Sequence, residues 1–219
     1  MFMHFKNRVD AGEKLSEAII KSGLDLSDAL ILGIPRGGVV VAYHVAANLG
    51  LELDVIVSRK LRAPYNPELA IGAISEFDAV FINKGIVAEL GVPKNYIDDE
   101  VEYQRRVLND YIRKFRGNRK LELKGRKAVL VDDGIATGAT VIAAAIACRN
   151  GGADKVIVAT PVVADDVYYF VRKYCDELIY VIKPAILYAV GMFYYDFTQT
   201  TDREVIELLI RAGKKPSQT

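Results

Sequence analysis

The sequence predicts an α/β fold in which helices flank a mostly parallel sheet. Short apolar runs of strand length alternate with segments of helical spacing, and two of the strands end in small-residue turns that open a helix. Of the 219 residues, 51% are hydrophobic and 26% are charged, which suits one α/β domain with a sizeable core. We expect a single domain over 1–219, with a core over about 25–183, an inserted flexible loop and long helix over 61–118, and a small C-terminal segment over 184–212, called the hood.

The first predicted helix covers residues 9–22. Its apolar residues recur at helical spacing, and a glycine follows as a C-terminal stop. The charged residues at and near its start, including Arg8, are then expected on a solvated face.

The first core strand, residues 29–34, ends in a turn with the sequence Pro-Arg-Gly-Gly. A helix is predicted over 39–47, directly after this turn. Free N–H groups at a helix start bind anions, and the Arg36 guanidinium can contact two phosphate oxygens. Taken alone, an ordinary surface turn explains this pattern about as well.

The next strand is predicted over 53–57, and three cationic side chains follow it in residues 58–62. In an open α/β sheet, ligands bind beyond the carboxyl ends of the strands. Arg59 and Lys60 are therefore candidate anion ligands, whereas Arg62 is expected in solvent. A solvated basic loop is the alternative for all three.

The segment from 63 to 118 interrupts the alternation of strands and helices. Two short strands are expected over 71–74 and 79–82, with a turn at 76–78 between them. A long helix with a narrow apolar stripe follows over 94–116. It is expected to lie on the surface of the domain or on a partner subunit.

The most informative stretch begins with an apolar run over 128–131, typical of a strand buried on both faces. Asp132 and Asp133 follow at its carboxyl end, and a loop of small residues then leads to Thr140 and an Ala-rich helix. The carboxylates suit hydroxyl groups or a metal ion, and the free N–H groups with the Thr137 and Thr140 hydroxyls suit a phosphate. A sugar phosphate fits both; a buried strand with an Asp-capped turn is the alternative.

Further strands are expected over 155–160 and 178–182, with a helix over 165–174 between them. The hood carries an aromatic cluster that core packing or a binding role would explain. A final helix begins at Thr201, which forms a capping box with Glu204.

The stretch from Val129 to Thr140 resembles the signature with which type I phosphoribosyltransferases bind 5-phosphoribosyl 1-diphosphate (PRPP). In that family the paired acids hold the ribose hydroxyls, the small-residue loop holds the 5′-phosphate, and the turn after the first core strand holds pyrophosphate, often through a non-proline cis peptide. The resemblance assigns PRPP binding to Arg36, Gly37, Gly38, Arg59, Lys60, Asp132, Asp133, Gly134, Ala136, Thr137, Gly138, Ala139 and Thr140. It implies catalytic roles for Asp132, Asp133, Arg36 and Lys60. Mg²⁺ would be held by Asp132 and Asp133, directly or through water.

The resemblance implies transfer of ribose 5-phosphate from PRPP to a nucleobase-like or other small nitrogenous acceptor, with release of pyrophosphate. The hood would face the acceptor through Phe193, Tyr195 and Phe197. Hypoxanthine-guanine members carry an Asp where this chain has Ala136, which disfavours a 6-oxopurine acceptor. Gly134 replaces an aliphatic residue common in the family and is expected to loosen the loop slightly.

The Pro-Arg-Gly-Gly turn, the Arg59-Lys60 pair and residues 66–73 further resemble stand-alone phosphoribosyltransferase-like proteins of unassigned substrate. A homodimer or higher homo-oligomer is implied, with Arg59 and Lys60 acting within one chain or across its interface. A non-catalytic PRPP or nucleotide sensor on the same fold is the alternative.

Composition and the N-terminal residues indicate which partners and which cellular compartment to expect. The formal net charge of +1 gives no basic excess to suggest a nucleic-acid partner, and no apolar run approaches the ~20 residues of a membrane span. The first six residues lack the apolar core of a signal peptide. The two cysteines, Cys148 and Cys175, have no metal-binding spacing and are expected to be reduced. A cytoplasmic enzyme is the expectation.

Overall fold

The computed structural model describes residues 4–214, which form two sheets and seven α-helices. The main sheet has five parallel strands in the order β2-β1-β6-β7-β8. Its strands are β1 (Ala29–Gly33), β2 (Glu52–Val55), β6 (Lys127–Val131), β7 (Lys155–Val162) and β8 (Glu177–Ile182). The prediction of a mostly parallel sheet flanked by helices is confirmed.

Helices cover both faces of this sheet because alternate residues of each buried strand point to opposite sides. Leu130 of β6 packs in one apolar cluster with α5, whereas its neighbours Val129 and Val131 pack in another with α1, α2 and α7. The helices are α1 (Arg8–Lys21), α2 (Gly37–Leu49), α3 (Lys84–Glu89), α4 (Lys94–Arg116), α5 (Ala139–Asn150), α6 (Asp165–Val171) and α7 (Asp202–Arg211). None of these helices is long and apolar enough to cross a membrane.

The insertion between β2 and β6 is more regular than the sequence suggests. It contains an antiparallel sheet in the order β3-β4-β5, formed by β3 (Ser58–Ala63), β4 (Asn66–Ser75) and β5 (Val80–Ile82). The predicted pair of strands around a turn is confirmed, but the first of them begins earlier than predicted, at Asn66, and is ten residues long. The alternative of a solvated basic loop over 58–62 is wrong, because these residues pair along β4 and form a strand.

The long helix α4 has the predicted bounds, and its last turn ties the insertion to the main sheet. The Arg116 guanidinium is buried, pairs with the buried Glu76 carboxylate and donates to the Val55 carbonyl. Glu76 in turn accepts from the Val57 N–H at 2.9 Å. The start of β3 is thereby fixed relative to the end of β2. The Arg62 side chain is 40% exposed, as predicted, but its guanidinium also pairs with Glu100 at 3.0 Å.

The hood is built from both ends of the described chain. Phe5 donates its N–H to the Phe193 carbonyl at 2.8 Å and accepts from the Tyr195 N–H at 2.9 Å. A 3-10 helix, Val190–Phe193, precedes this contact. The capping box of Thr201 and Glu204 at the start of α7 is confirmed.

Candidate active site

The candidate site is a cavity of about 570 Å³ at the carboxyl ends of β1 and β6. Parallel strands bring the turn after β1 and the loop after β6 to the same edge of the sheet. The lining residues are Arg8, Ile34, Pro35, Arg36, Gly37, Ser58, Lys60, Asp132, Asp133, Thr140, Val190, Phe197, Gln199 and Thr200. A neighbouring cavity of about 230 Å³ is lined by Lys60, Val190 and the stretch from Asp132 to Val141, Ala139 excepted.

Asp132 and Asp133 form a close pair of carboxylates at the base of the cavity. The Asp133 N–H donates to Asp132 Oδ1 at 2.9 Å, and the Tyr194 hydroxyl donates to the Asp133 carbonyl at 2.6 Å. Burial, followed by the charge of Asp133, raises the pKa of Asp132 well above its ordinary value. Burial also raises the pKa of Asp133, although Arg8 opposes that shift. A bound cation would therefore favour the ionised form of both carboxylates.

Arg8 lies in the site, so the prediction that it belongs to a solvated helix face is wrong. Its side chain is only 11% exposed, and its Nε lies 2.8 Å from Asp133 Oδ2. Its Nη1 donates to the Thr198 carbonyl at 2.7 Å, and its Cζ lies 3.9 Å from the centre of the Phe197 ring. As the first residue of α1, it reaches across the cavity from the N-terminal side.

The turn after β1 has the features of an anion-binding turn. The peptide bond between Pro35 and Arg36 is cis, as the family resemblance implies, and no side chain caps the start of α2. Its first N–H groups are therefore open to an anion. A Cβ on Gly38 would lie 2.8 Å from the Val131 carbonyl oxygen, so only glycine allows this turn to approach β6 so closely. The Arg36 guanidinium lies 3.8 Å from the Asp202 carboxylate of α7.

The loop after β6 has a second helix start without a capping side chain. Gly138 adopts a left-handed φ of +78°, and α5 begins at the next residue. The Ile135 N–H donates to the Val162 carbonyl and anchors the loop to β7. A Cβ on Gly134 would lie 2.3 Å from Val190 Cγ1, so glycine here lets the hood pack on the loop. That close contact with the hood is what the absence of a side chain at this position allows.

Lys60 and Arg59 face different surroundings because neighbouring residues of a strand point to opposite sides. Lys60 lines both cavities of its own chain beside Asp132. Arg59 donates from Nε to Gln104 Oε1 at 3.2 Å and lies over the Tyr111 ring. It lines a third cavity, of about 250 Å³, together with Arg36. The structure thus brings Lys60, but not Arg59, to the acid pair.

The three aromatic candidates of the hood have different positions. Phe197 lines the main cavity, but the Arg8 guanidinium covers a face of its ring. Phe193 packs in the apolar cluster around Phe5, and Tyr195 is 79% exposed and packs beside His4. Neither of the last two residues lines the cavity that contains the acids.

The donor set fits a hard cation such as Mg²⁺ that keeps most of its ligands from substrate and water. Two adjacent carboxylates at the end of β6 supply the oxygen ligands that such a cation prefers. Within residues 4–214 there is no group of three or more His, Cys, Asp or Glu that would hold a metal without substrate.

Several cavity residues were not predicted as site residues from the sequence. Ser58 precedes the predicted cations, and Val190, Gln199 and Thr200 belong to the hood. Arg8 gave no local signal, because it is separated from Asp133 by 125 positions and fits the polar pattern of its helix.

Comparison with known proteins agrees with this arrangement. The family model of the phosphoribosyl transferase domain matches residues 3–196. Two proteins of Mycobacterium tuberculosis, from strains CDC 1551 / Oshkosh and H37Rv, are provisionally named phosphoribosyl transferases. Each is 43% identical over 211 residues, or 96% of this chain, which spans about half (47%) of the length of either relative.

Among solved structures, the protein TT1426 of Thermus thermophilus matches with a TM-score of 0.77 and 38% identity. The match covers 95% of this chain and 99% of that protein. Sequence identity and fold thus agree over nearly the whole length. The chain belongs to the phosphoribosyl transferase domain family.

Proposed function

We propose that this protein transfers ribose 5-phosphate from PRPP to a small nitrogenous acceptor and releases pyrophosphate. One observation carries the proposal: two helix starts without a capping side chain, at Gly37 after β1 and at Ala139 after β6, lie at the same edge of the sheet as the partly buried acid pair. PRPP has two anionic groups separated by a ribose with free hydroxyls. The two helix starts offer donors to the anionic groups, and the acids offer acceptors to the hydroxyls.

The first binding region would hold the 5′-phosphate. The loop over 134–140, with the Thr137 and Thr140 hydroxyls and the first N–H groups of α5, offers donors without an acidic side chain. The binding energy gained here would orient C1 of the ribose without touching it.

The second region would hold the ribose and the leaving group. Asp132 and Asp133 would accept hydrogen bonds from the ribose hydroxyls and stabilise positive charge that develops on the ribose. Arg36 and the N–H groups at Gly37 and Gly38 would stabilise the negative charge of departing pyrophosphate, and Lys60 lies close enough to Asp132 to assist. Arg59 would contact the pyrophosphate only through the neighbouring cavity that it shares with Arg36.

Mg²⁺ bound by Asp132 and Asp133, directly or through water, would supply a charge sink for the diphosphate. Ala136 places no acid beside the acceptor, so adenine and other acceptors that need no such acid are favoured over 6-oxopurines. Stacking of the acceptor on Phe197 requires its free face, and contacts with Phe193 or Tyr195 require a different arrangement of the hood. A homodimer stays a prediction, which size-exclusion chromatography with light scattering tests.

The decisive experiment separates binding from transfer. Calorimetry with Mg²⁺ and PRPP should show saturable binding, and the Asp132→Asn, Asp133→Asn double variant should lose it. Pyrophosphate release should then be measured with orotate, adenine, xanthine and guanine. Binding without release with any of these bases would favour a PRPP sensor, and no binding of PRPP would defeat the proposal.

Thr137→Val tests the 5′-phosphate region separately. Loss of one hydroxyl donor to a charged oxygen should weaken PRPP binding by roughly 1–3 kcal/mol. The same variant should bind inorganic pyrophosphate as tightly as the wild type, because that ligand occupies the other region. Unchanged PRPP affinity would remove Thr137 from the site.

A further inference from the structure

We propose that Arg8 is a substrate-binding residue that bridges the ribose and pyrophosphate regions. Its Nε holds Asp133, while its Nη2 donates to the diphosphate of PRPP. This inference rests on the proposed function, since it assigns a further ligand to the same site.

The first step is the fixed position of the guanidinium. Arg8 is held at three points: the Asp133 carboxylate at 2.8 Å, the Thr198 carbonyl at 2.7 Å and the Phe197 ring at 3.9 Å from the ring centre. The side chain is 11% exposed, so it has little freedom to swing into solvent. A guanidinium held in this way loses little conformational entropy when it accepts a further ligand.

The second step is the direction of the remaining donor. Nε and Nη1 are occupied, and no residue of the described chain accepts a hydrogen bond from Nη2. A Cβ built on Gly37 would lie 2.9 Å from Nη2, 2.6 Å from Nε and 2.0 Å from Asp133 Oδ2. The free donor therefore lies directly beside the turn that would bind pyrophosphate.

The third step is charge. The diphosphate is the most negative part of PRPP, and its neighbours in the cavity include two carboxylates whose repulsion must be offset. Arg36 and Lys60 are the other cations that line this cavity. Arg8 is a third cation, and its Nη2 beside Gly37 would place positive charge between the acids and the leaving group.

The competing explanation is that Arg8 only anchors the hood and Asp133. The two explanations differ in the affinity they predict for inorganic pyrophosphate. This ligand has no ribose hydroxyls for Asp133 to bind, so it tests the contact between Arg8 and the diphosphate alone. Calorimetry in Mg²⁺ buffer should therefore be run with inorganic pyrophosphate, ribose 5-phosphate and PRPP, each against wild type, Arg8→Gln and Arg8→Lys.

Arg8→Gln should weaken pyrophosphate binding about tenfold or more, the usual effect of losing a charged hydrogen bond. Arg8→Lys should recover part of this loss, because an ammonium keeps the charge but cannot contact Asp133 and the diphosphate as a planar fork does. Pyrophosphate affinity within twofold of wild type in Arg8→Gln would overturn the proposal, even if ribose 5-phosphate binding falls.

Lys14→Gln is the matched control. It removes one cation and one ion pair, with Asp10, from the same helix but away from the cavity, so pyrophosphate binding should not change. If Arg8→Gln fails to fold, Arg8→Lys decides: a folded variant with full pyrophosphate affinity would refute the bridging role. Absence of PRPP and pyrophosphate binding in the wild type would instead refute the proposed function.

Discussion

Asp132→Asn should stabilise the folded protein while it weakens PRPP binding. Burial and the adjacent Asp133 raise the pKa of Asp132 above its ordinary value of 3.8, so the ionised carboxylate is less stable in the folded protein than in water. Asparagine keeps an Oδ1 that can accept from the Asp133 N–H, but it carries no charge. The variant thus removes an unfavourable charge with little change in shape.

The magnitude follows from linkage between protonation and folding. Each unit by which the folded pKa exceeds the unfolded one costs about 1.4 kcal/mol once the group is ionised. We expect a gain of at least about 1 kcal/mol in unfolding free energy at pH 8. Because a raised carboxyl pKa favours the folded state only while the group is protonated, the gain should shrink as the pH falls toward 3.8.

Urea unfolding from pH 4 to pH 8, in buffer with a chelator, measures this gain. Asp133→Asn is the control, because it also removes a partly buried charge but leaves the Arg8 guanidinium without the opposite charge that lies 2.8 Å away. It should be less stable than Asp132→Asn at pH 8. Both variants should lose PRPP affinity by about 100-fold or more, since each removes charged hydrogen bonds to the ribose. A stability loss in Asp132→Asn, or a gain that does not depend on pH, would refute the reasoning.

Three further outcomes are expected. Gly37→Ala places a Cβ 2.0 Å from Asp133 Oδ2, so calorimetry should show PRPP affinity reduced about tenfold or more, and unaltered binding would contradict the close packing of this turn. Thr201→Ala removes the capping box of α7 and should lower the urea unfolding free energy by about 0.5–2 kcal/mol; a smaller loss would show that the cap adds little. Burial raises the pKa of Cys148 above its ordinary value and that of Cys175 to about 11, so neither thiol should react with a disulfide reagent at pH 8 until urea is added. Rapid labelling of the native protein would show that these thiols are accessible.

The sheet and its two ligand turns could be predicted because their signals are local. Strand β6 is an unbroken apolar run, and the residues that end it change abruptly to acids and then to small residues. Each of these features lies within about a dozen positions. The α4 bounds were equally visible, since a long amphipathic pattern between a proline and a glycine sets both ends.

The features that the sequence does not reveal depend on contacts between residues that are distant along the chain. The strand β3 looks like a basic loop until β4 supplies its pairing partner, and the alternation of that strand then separates Lys60 from Arg59. Arg8 matches the polar pattern of a surface helix, and only the folded chain brings it to Asp133. Periodicity reports which face of an element is buried, but not which distant residue it meets.

Hydrogen bonds between Phe5 and the segment from Phe193 to Tyr195 join the two ends of the described chain. The site therefore has two parts, which are formed by different segments of the chain. Turns that follow β1 and β6 form the part assigned to PRPP, and their geometry depends on the sheet. Both ends of the described chain form the opposite wall, through Arg8 and Phe197, and no strand of the main sheet contributes to it. In the proposed reaction, exchange of the two terminal segments would change the wall that faces the acceptor, and it would leave the sugar-phosphate half intact only if Arg8, the partner of Asp133, is kept.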